Sequence, residues 1–408
     1  MLVASPQERG ARQKALSKMD ERQDFSIVLG GPLFQLLRRM HVSGDALELV
    51  RLRILVIVSI VWLPLLALSV LKGQAWGGSA AVPFLFDVQA HLRFLVALPL
   101  LIVAELVVHQ RMRLVRQFLD RNLISERALP RFDAAIASAF RLRNSVLAEV
   151  LLIALVYMVG VLFVWRHYVA LSTAVWYAMP TAEGLKLSLA GRWYAYVSLP
   201  VFQFMLLRWY YRIFIWARFL WHVSRIELSL IPTHPDRVGG LGFLAGVAFA
   251  FAPLAVAHGA MLAGVIANRI FYLAAAMPEF KMEIAGYLVF VLCLVFGPFL
   301  VFAPQLAAAK RRGLREYGTL AERYVREFDL KWLRGGAAAN EPLVGSADIQ
   351  SLADLGNSFE IVKTMRLAPI TRGALLGLCV AVLAPIVPLM FTTMSLEDLV
   401  KQLVGALF

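Results

Sequence analysis

The stretch His234-Pro235-Asp236-Arg237-Val238-Gly239-Gly240 sets an imidazole, a carboxylate and a guanidinium within four positions, then two glycines, ahead of an apolar run. Three chemistries fit those residue types. Free N–H groups at a helix start attract anions, and Arg237 would add a planar fork, so the stretch reads as an anion or lipid-headgroup site. The same residues make an ordinary turn if Asp236 caps the helix and Gly239 and Gly240 allow the bend. His234 and Asp236 would also serve a lipid-modifying enzyme as an acid–base pair, given a substrate within hydrogen-bond reach.

Other chemistry-bearing residues sit in apolar surroundings. Glu105 and Glu149 lie at the edges of apolar stretches, while Arg208 and Arg212 are four apart and share a helix face. Ionised groups in such places face partners or water. If Glu105, Glu149, Arg208 and Arg237 converge, they line a polar vestibule open to the cytoplasm; taken singly, each snorkels to headgroups. His258 is the deepest titratable group, following Pro253 and preceding Gly259. A helix broken there would resemble a transporter binding site. The plainer reading is a hydrogen-bonded packing residue.

No residue is assigned to catalysis, and no cofactor or metal is expected. The seven histidines never pair at three- or four-residue spacing, so a di-metal or haem box is not indicated. A Walker A loop, a Gly-x-Ser-x-Gly elbow and a two-cysteine metal spacing are all missing. Cys293 and Cys379 fall in apolar runs and read as small hydrophobes.

The elements that must position these residues follow from composition. Of 408 residues, 60% are hydrophobic and 17% charged, against about 45–50% and 25% in soluble domains. So few charges cannot cover a water-facing surface, and lipid is the alternative. The net charge of +14 would suggest nucleic acid in a soluble protein. Here the basic residues flank apolar runs, which indicates topology and contact with membrane lipids instead.

Seven apolar stretches predict an all-α, polytopic membrane protein: 54–71, 94–108, 146–165, 193–207, 241–268, 284–308 and 373–391. With the N-terminus in the cytoplasm, the inside segments hold 33 of the 41 Lys and Arg residues, and each is richer than any outside segment. The fifth stretch is read as one long or broken helix, because two passes would put Lys310, Arg311, Arg312 and Arg315 outside. Residues 1–45 are a polar cytoplasmic tail with an interfacial segment. Residues 46–308 form a six-span region with a helical cytoplasmic loop at 109–145, and 309–368 form a second such loop. The last span and an amphipathic tail occupy 369–408.

The first loop predicts an amphipathic helix interrupted at Pro130. In the second, Ser346 and Asp348 cap a helix with Ile349, Leu352, Leu355, Phe359 and Val362 on one face. That face needs the membrane surface, the other loop or a neighbouring subunit, so a homo-oligomer is one expectation. Gly242, Gly246 and Ala250, spaced by four, predict close helix packing, and Trp209, Tyr210, Tyr211, Trp216 and Trp221 predict an interfacial belt.

The residues His234 to Phe243, together with Ala347-Asp348-Ile349-Gln350-Ser351-Leu352-Ala353-Asp354-Leu355, resemble a family of uncharacterised bacterial multi-pass membrane proteins. The resemblance implies a bacterial inner-membrane location and no activity. The functional expectations are a channel or transporter for a small, anionic solute, or a membrane-anchored scaffold that binds partners through its cytoplasmic helices.

Overall fold

The computed structural model describes residues 25–39, 49–78, 80–159, 175–181, 184–338 and 340–392. The tail 1–24, the end of the third stretch and the tail from Ser395 lie outside them. The described chain is nearly all helical. Its elements are α1 (Pro32–Arg39), α2 (Val50–Leu71), α3 (Val88–Asp120), α4 (Leu129–Arg143) and α5 (Val146–Val159). A hairpin of β1 (Ala178–Thr181) and β2 (Gly184–Leu187) follows. Then come α6 (189–223), α7 (Phe243–Leu273), α8 (Met277–Leu333), α9 (Ala347–Lys363) and α10 (Arg372–Leu383).

Four of these, α2, α3, α7 and α8, are long and apolar enough to cross a membrane. A fifth crossing results if 126–143 and α5, bent by 47°, count as one span. The protein is therefore of the multi-pass membrane type. All seven apolar stretches contain helix. The fourth lies in α6, whose length suffices but whose buried arginines and many aromatic residues lower its apolar character. The last, α10, is short, and the chain turns at Ala384 before Pro385 and Pro388.

Burial ranks the helices. Only 17% of the apolar window of α2 is buried, against 67% of α7, so α2 is peripheral and α7 central. Glycines let α7 sit there: a Cβ on Gly259 would lie 2.0 Å from the Val382 carbonyl oxygen of α10, and one on Gly264 would lie 2.9 Å from Gln89 Cα of α3. The close contacts thus fall later in α7 than the Gly242–Ala250 ridge expected from spacing. The 3₁₀ turn Phe249–Phe251 interrupts α7 just before Pro253. The break therefore lies upstream of His258, where Pro253 falls in the first turn of the continuing helix and costs no hydrogen bond.

The loop between α3 and α5 also differs from expectation. Pro130 does not interrupt a helix but opens α4, in the first turn, where its missing N–H is harmless. The chain turns instead at Arg121 to Ser125, where Asn122 has a φ of 52°.

Over its 57 residues α8 measures ~85 Å, nearly three times a ~30 Å hydrocarbon core. Its second half therefore projects, and α9 folds back along it. Ser346 Oγ accepts from Asp348 N to start α9. Val362 packs on Gly313 of α8, where a Cβ would come within 2.9 Å, and Phe359 lies beside Gly318. The last two residues of the apolar face of α9, Phe359 and Val362, thus find their partner in the first helix of its own loop, while Ile349 stays exposed.

Candidate functional site

One turn inside α2, Arg53 meets Glu105 from the middle of α3. Glu105 Oε1 accepts from Arg212 Nη1 at 2.6 Å and Arg208 Nη1 at 3.2 Å, one helical turn apart on α6. The Nε of Arg208 donates at 3.3 Å to Oε1 of Glu149, in the first turn of α5. Four helices thus deliver five ionised side chains to one layer, each at most 12% exposed. Buried charges persist only when paired and hydrogen-bonded. Among the described residues, three guanidiniums here face two carboxylates, and Arg53 Nε has no hydrogen-bond partner.

Residues 25–33 roof this layer. Leu33 N donates to Glu149 Oε2 at 2.8 Å, and Gly31 N to Asn144 Oδ1 at 3.1 Å. Arg143 Nη1 donates at 2.6 Å to the Ser26 carbonyl, and His109 Nδ1 lies 3.1 Å from Ser26 Oγ. Beneath the roof is a cavity of about 10 Å³, lined by Ile27, Gly30, Arg143, Glu149, Arg208 and Arg212 among others. That is room for about one water.

Of the residues singled out by sequence, Glu105, Glu149 and Arg208 come together, and Arg212 joins them. Arg237 does not; it is exposed in the loop before α7 with a φ of 57°. There Asp236 Oδ1 accepts from Val238 N (2.9 Å) and Gly240 N (3.2 Å), and Oδ2 from Gly242 N (2.8 Å). The amides that would hold an external anion are occupied by the chain's own carboxylate. Gly239 and Gly240, at φ of 64° and 102°, make the concavity possible. His234 Nδ1 lies 2.9 Å from Asp236 Oδ1. Arg366 Nη2 binds the Asp236 carbonyl at 2.9 Å and Arg121 Nη1 that of Gly240 at 3.0 Å, so the loop ties the turn after α3 to the segment after α9.

His258 is fully buried. Its Nδ1 lies 2.7 Å from the Leu254 carbonyl, which can only accept, so Nδ1 carries the proton. Nε2 then accepts from Tyr210 OH at 2.9 Å. Both ring nitrogens are satisfied by packing partners.

Sequence reasoning missed Arg53 as a member of the layer and Arg143 as the residue that holds the roof above it. It also missed a second polar cluster about 27 Å along α3. There Asp87 Oδ1 accepts from Asn268 Nδ2 and Oδ2 from Trp176 Nε1, both at 2.9 Å. Arg93 Nη1 donates to Tyr194 OH at 2.5 Å. The signal was there in Asp87, an acidic residue just ahead of a helix start.

The aromatic belt expected on α6 is also corrected. Trp209 and Trp216 are fully buried, with Trp209 Nε1 donating to the Leu101 carbonyl at 2.8 Å. The inward-facing arginines of α6 turn those neighbours inward too. Among the described residues, no group of three or more His, Cys, Asp or Glu could hold a metal ion. No family model, no curated protein and no solved structure matches the chain.

Proposed function

We propose that this is a seven-span protein with a cytoplasmic N-terminus that binds a small anion on the arginine layer and carries it across the membrane. The observation behind this reading is the surplus of buried positive charge: three guanidiniums on two carboxylates. Uncompensated charge inside a membrane protein is costly and marks substrate or ion pathways. The 33 Lys and Arg residues that this topology puts on one side support a position for that layer near the cytoplasmic face. Phosphate, sulfate and acetate are suitable probes. The protein in liposomes should pass at least one of them, and its thermal midpoint should rise with that anion. Arg208→Lys, which keeps the charge but loses the fork, should weaken both effects. Neither flux nor a thermal shift with any of the three would sink the proposal.

A scaffold role is favoured by a different observation. The α8–α9 hairpin exposes Leu330, Leu333, Val344 and Ile349 near its tip. Deleting 348–366 should release a bound partner or second copy, read as a fall in mass by light scattering, and leave flux intact.

A further inference from the structure

The roof over the arginine layer has the properties of a ligand mimic. The Ser26 carbonyl oxygen takes the Arg143 Nη1 donor at 2.6 Å, the kind of bond an anion's oxygen would make. The Leu33 amide holds Glu149 Oε2, while Glu149 Oε1 holds Arg208 Nε. Glu149 is thus shared between the layer and its cover. Ile27 and Gly30 of the cover line the same small cavity as Arg143, Arg208 and Arg212.

The cover is also a short buried unit set off by glycines. Phe25, Ser26, Ile27 and Val28 are buried, with the Phe25 ring stacked 5.7 Å from that of Phe140 and tilted at 4.6 Å from that of Phe219. Gly30 and Gly31 follow with φ of 120° and 88°. A Cβ at Gly30 would lie 2.8 Å from the Arg143 guanidinium, and one at Gly31 would lie 3.0 Å from the Arg143 carbonyl. Two consecutive glycines join the buried plug to α1, and such a short segment can open at a cost below that of global unfolding.

We propose that residues 25–29 are a plug, hinged at Gly30 and Gly31, that closes the arginine layer by supplying a backbone oxygen in place of the anion; this rests on the anion-binding reading above. When the plug withdraws about Gly30 and Gly31, Arg143 loses its acceptor at the Ser26 carbonyl, while Leu33 N, beyond the hinge, keeps Glu149 Oε2 in place. The face of Arg143, Arg208 and Arg212 then opens to the solute.

Access can be read apart from anion binding. Cys293 and Cys379 are replaced by Ser, and Ile215→Cys puts a thiol in the cavity lining. Labelling by a membrane-impermeant thiol reagent should be slow in this background. Removal of residues 1–31 should raise the rate by roughly tenfold or more, the size expected when a closing equilibrium worth at least about 1.4 kcal/mol is lost. Phe25→Ala, which weakens the plug without deleting it, should raise the rate in the same direction. Tryptophan fluorescence and a monodisperse elution profile report that each variant is folded. Fast labelling with the plug intact, or slow labelling in both folded variants, would overturn the proposal. If the plug controls labelling but no anion shifts the thermal midpoint, the gate stands and the anion reading fails.

Discussion

Arg212 donates through Nη1 to Oε1 of Glu105 over 2.6 Å, on the oxygen that Arg208 also reaches at 3.2 Å. Glu105 is thereby the hub of the layer, since its other oxygen holds Arg53. One carboxylate on α3 joins α2 and α6, while Arg208 extends the chain of contacts to α5. Helix packing and candidate chemistry therefore share one set of atoms.

Replacing Glu105 by Ala should leave three buried guanidiniums with only Glu149 nearby. Breaking a buried ion pair by removing one partner costs about 3–5 kcal/mol. Unfolding in detergent should show a loss of that order, while Arg53→Met, which lightens the positive surplus, should cost less. A Glu105→Ala loss below about 1 kcal/mol would show that the layer is solvated.

The layer was half legible in the sequence. A carboxylate such as Glu105 in an apolar run demands a partner, and the i,i+4 pair Arg208 and Arg212 advertises a face. Arg53 sits just ahead of the 54–71 stretch, where a cation in the first turn of a span can snorkel, so its sequence position alone demands no partner. Only the packing of α2 against α3 reveals that it points inward. Similarly, aromatic residues beside arginines suggest an interface when α6 is read alone. Once the arginines face a buried carboxylate, Trp209 and Trp216 must follow them. The seven helical stretches were readable because their apolar runs are long. The β1–β2 hairpin was not, because Pro180 and Gly184 weaken a strand signal of four residues.

The glycines of α7 and α8 give a paired test. Gly259→Ala places a Cβ 2.0 Å from a backbone oxygen of α10, so the helices must separate. Overpacking of this kind costs about 1–3 kcal/mol. Gly286→Ala meets nothing within 4 Å and sits mid-helix, so it should be neutral or stabilising by up to ~1 kcal/mol. Thermal midpoints of the two variants should move in opposite directions from the parent, or at least differ clearly.

Asp236→Ala tests whether the loop before α7 is a structural cap. Three amides would lose their acceptor, and leaving buried donors unmet costs about 1–3 kcal/mol. Hydrogen exchange at 238–242 should accelerate, whereas Asp236→Asn, which keeps one carbonyl oxygen, should do so less. His234→Ala should leave exchange at Gly242 unchanged, because that amide is held by Asp236 Oδ2. An unchanged exchange pattern in Asp236→Ala would return the loop to the list of candidate reactive sites.

The projecting hairpin should respond to pH at both extremes. Lys331 Nζ donates to Asp348 Oδ2 at 2.8 Å and also pairs with Glu341, while Trp332 Nε1 donates to the same Asp348 oxygen at 2.9 Å. Hydrogen bonds from Lys331 and Trp332 hold the Asp348 carboxyl below its ordinary value. Its contribution is present above the unfolded value of ~3.9 and is lost as pH falls through the lower, folded one. Hydrogen bonds to Asp348 and Glu341 raise Lys331. Its contribution is complete below the unfolded value of ~10.4 and is lost as pH rises through the higher, folded one. Hydrogen exchange across 331–349 should therefore stay flat between roughly pH 5 and 9, after correction for intrinsic rates, and quicken outside that window. The pairs are about one third exposed, so the effect should be small and should shrink in high salt. Asp348→Asn should remove the acidic limb and weaken the alkaline one, because Lys331 keeps only Glu341. An acidic limb that survives in Asp348→Asn would assign it to other carboxylates in the loop.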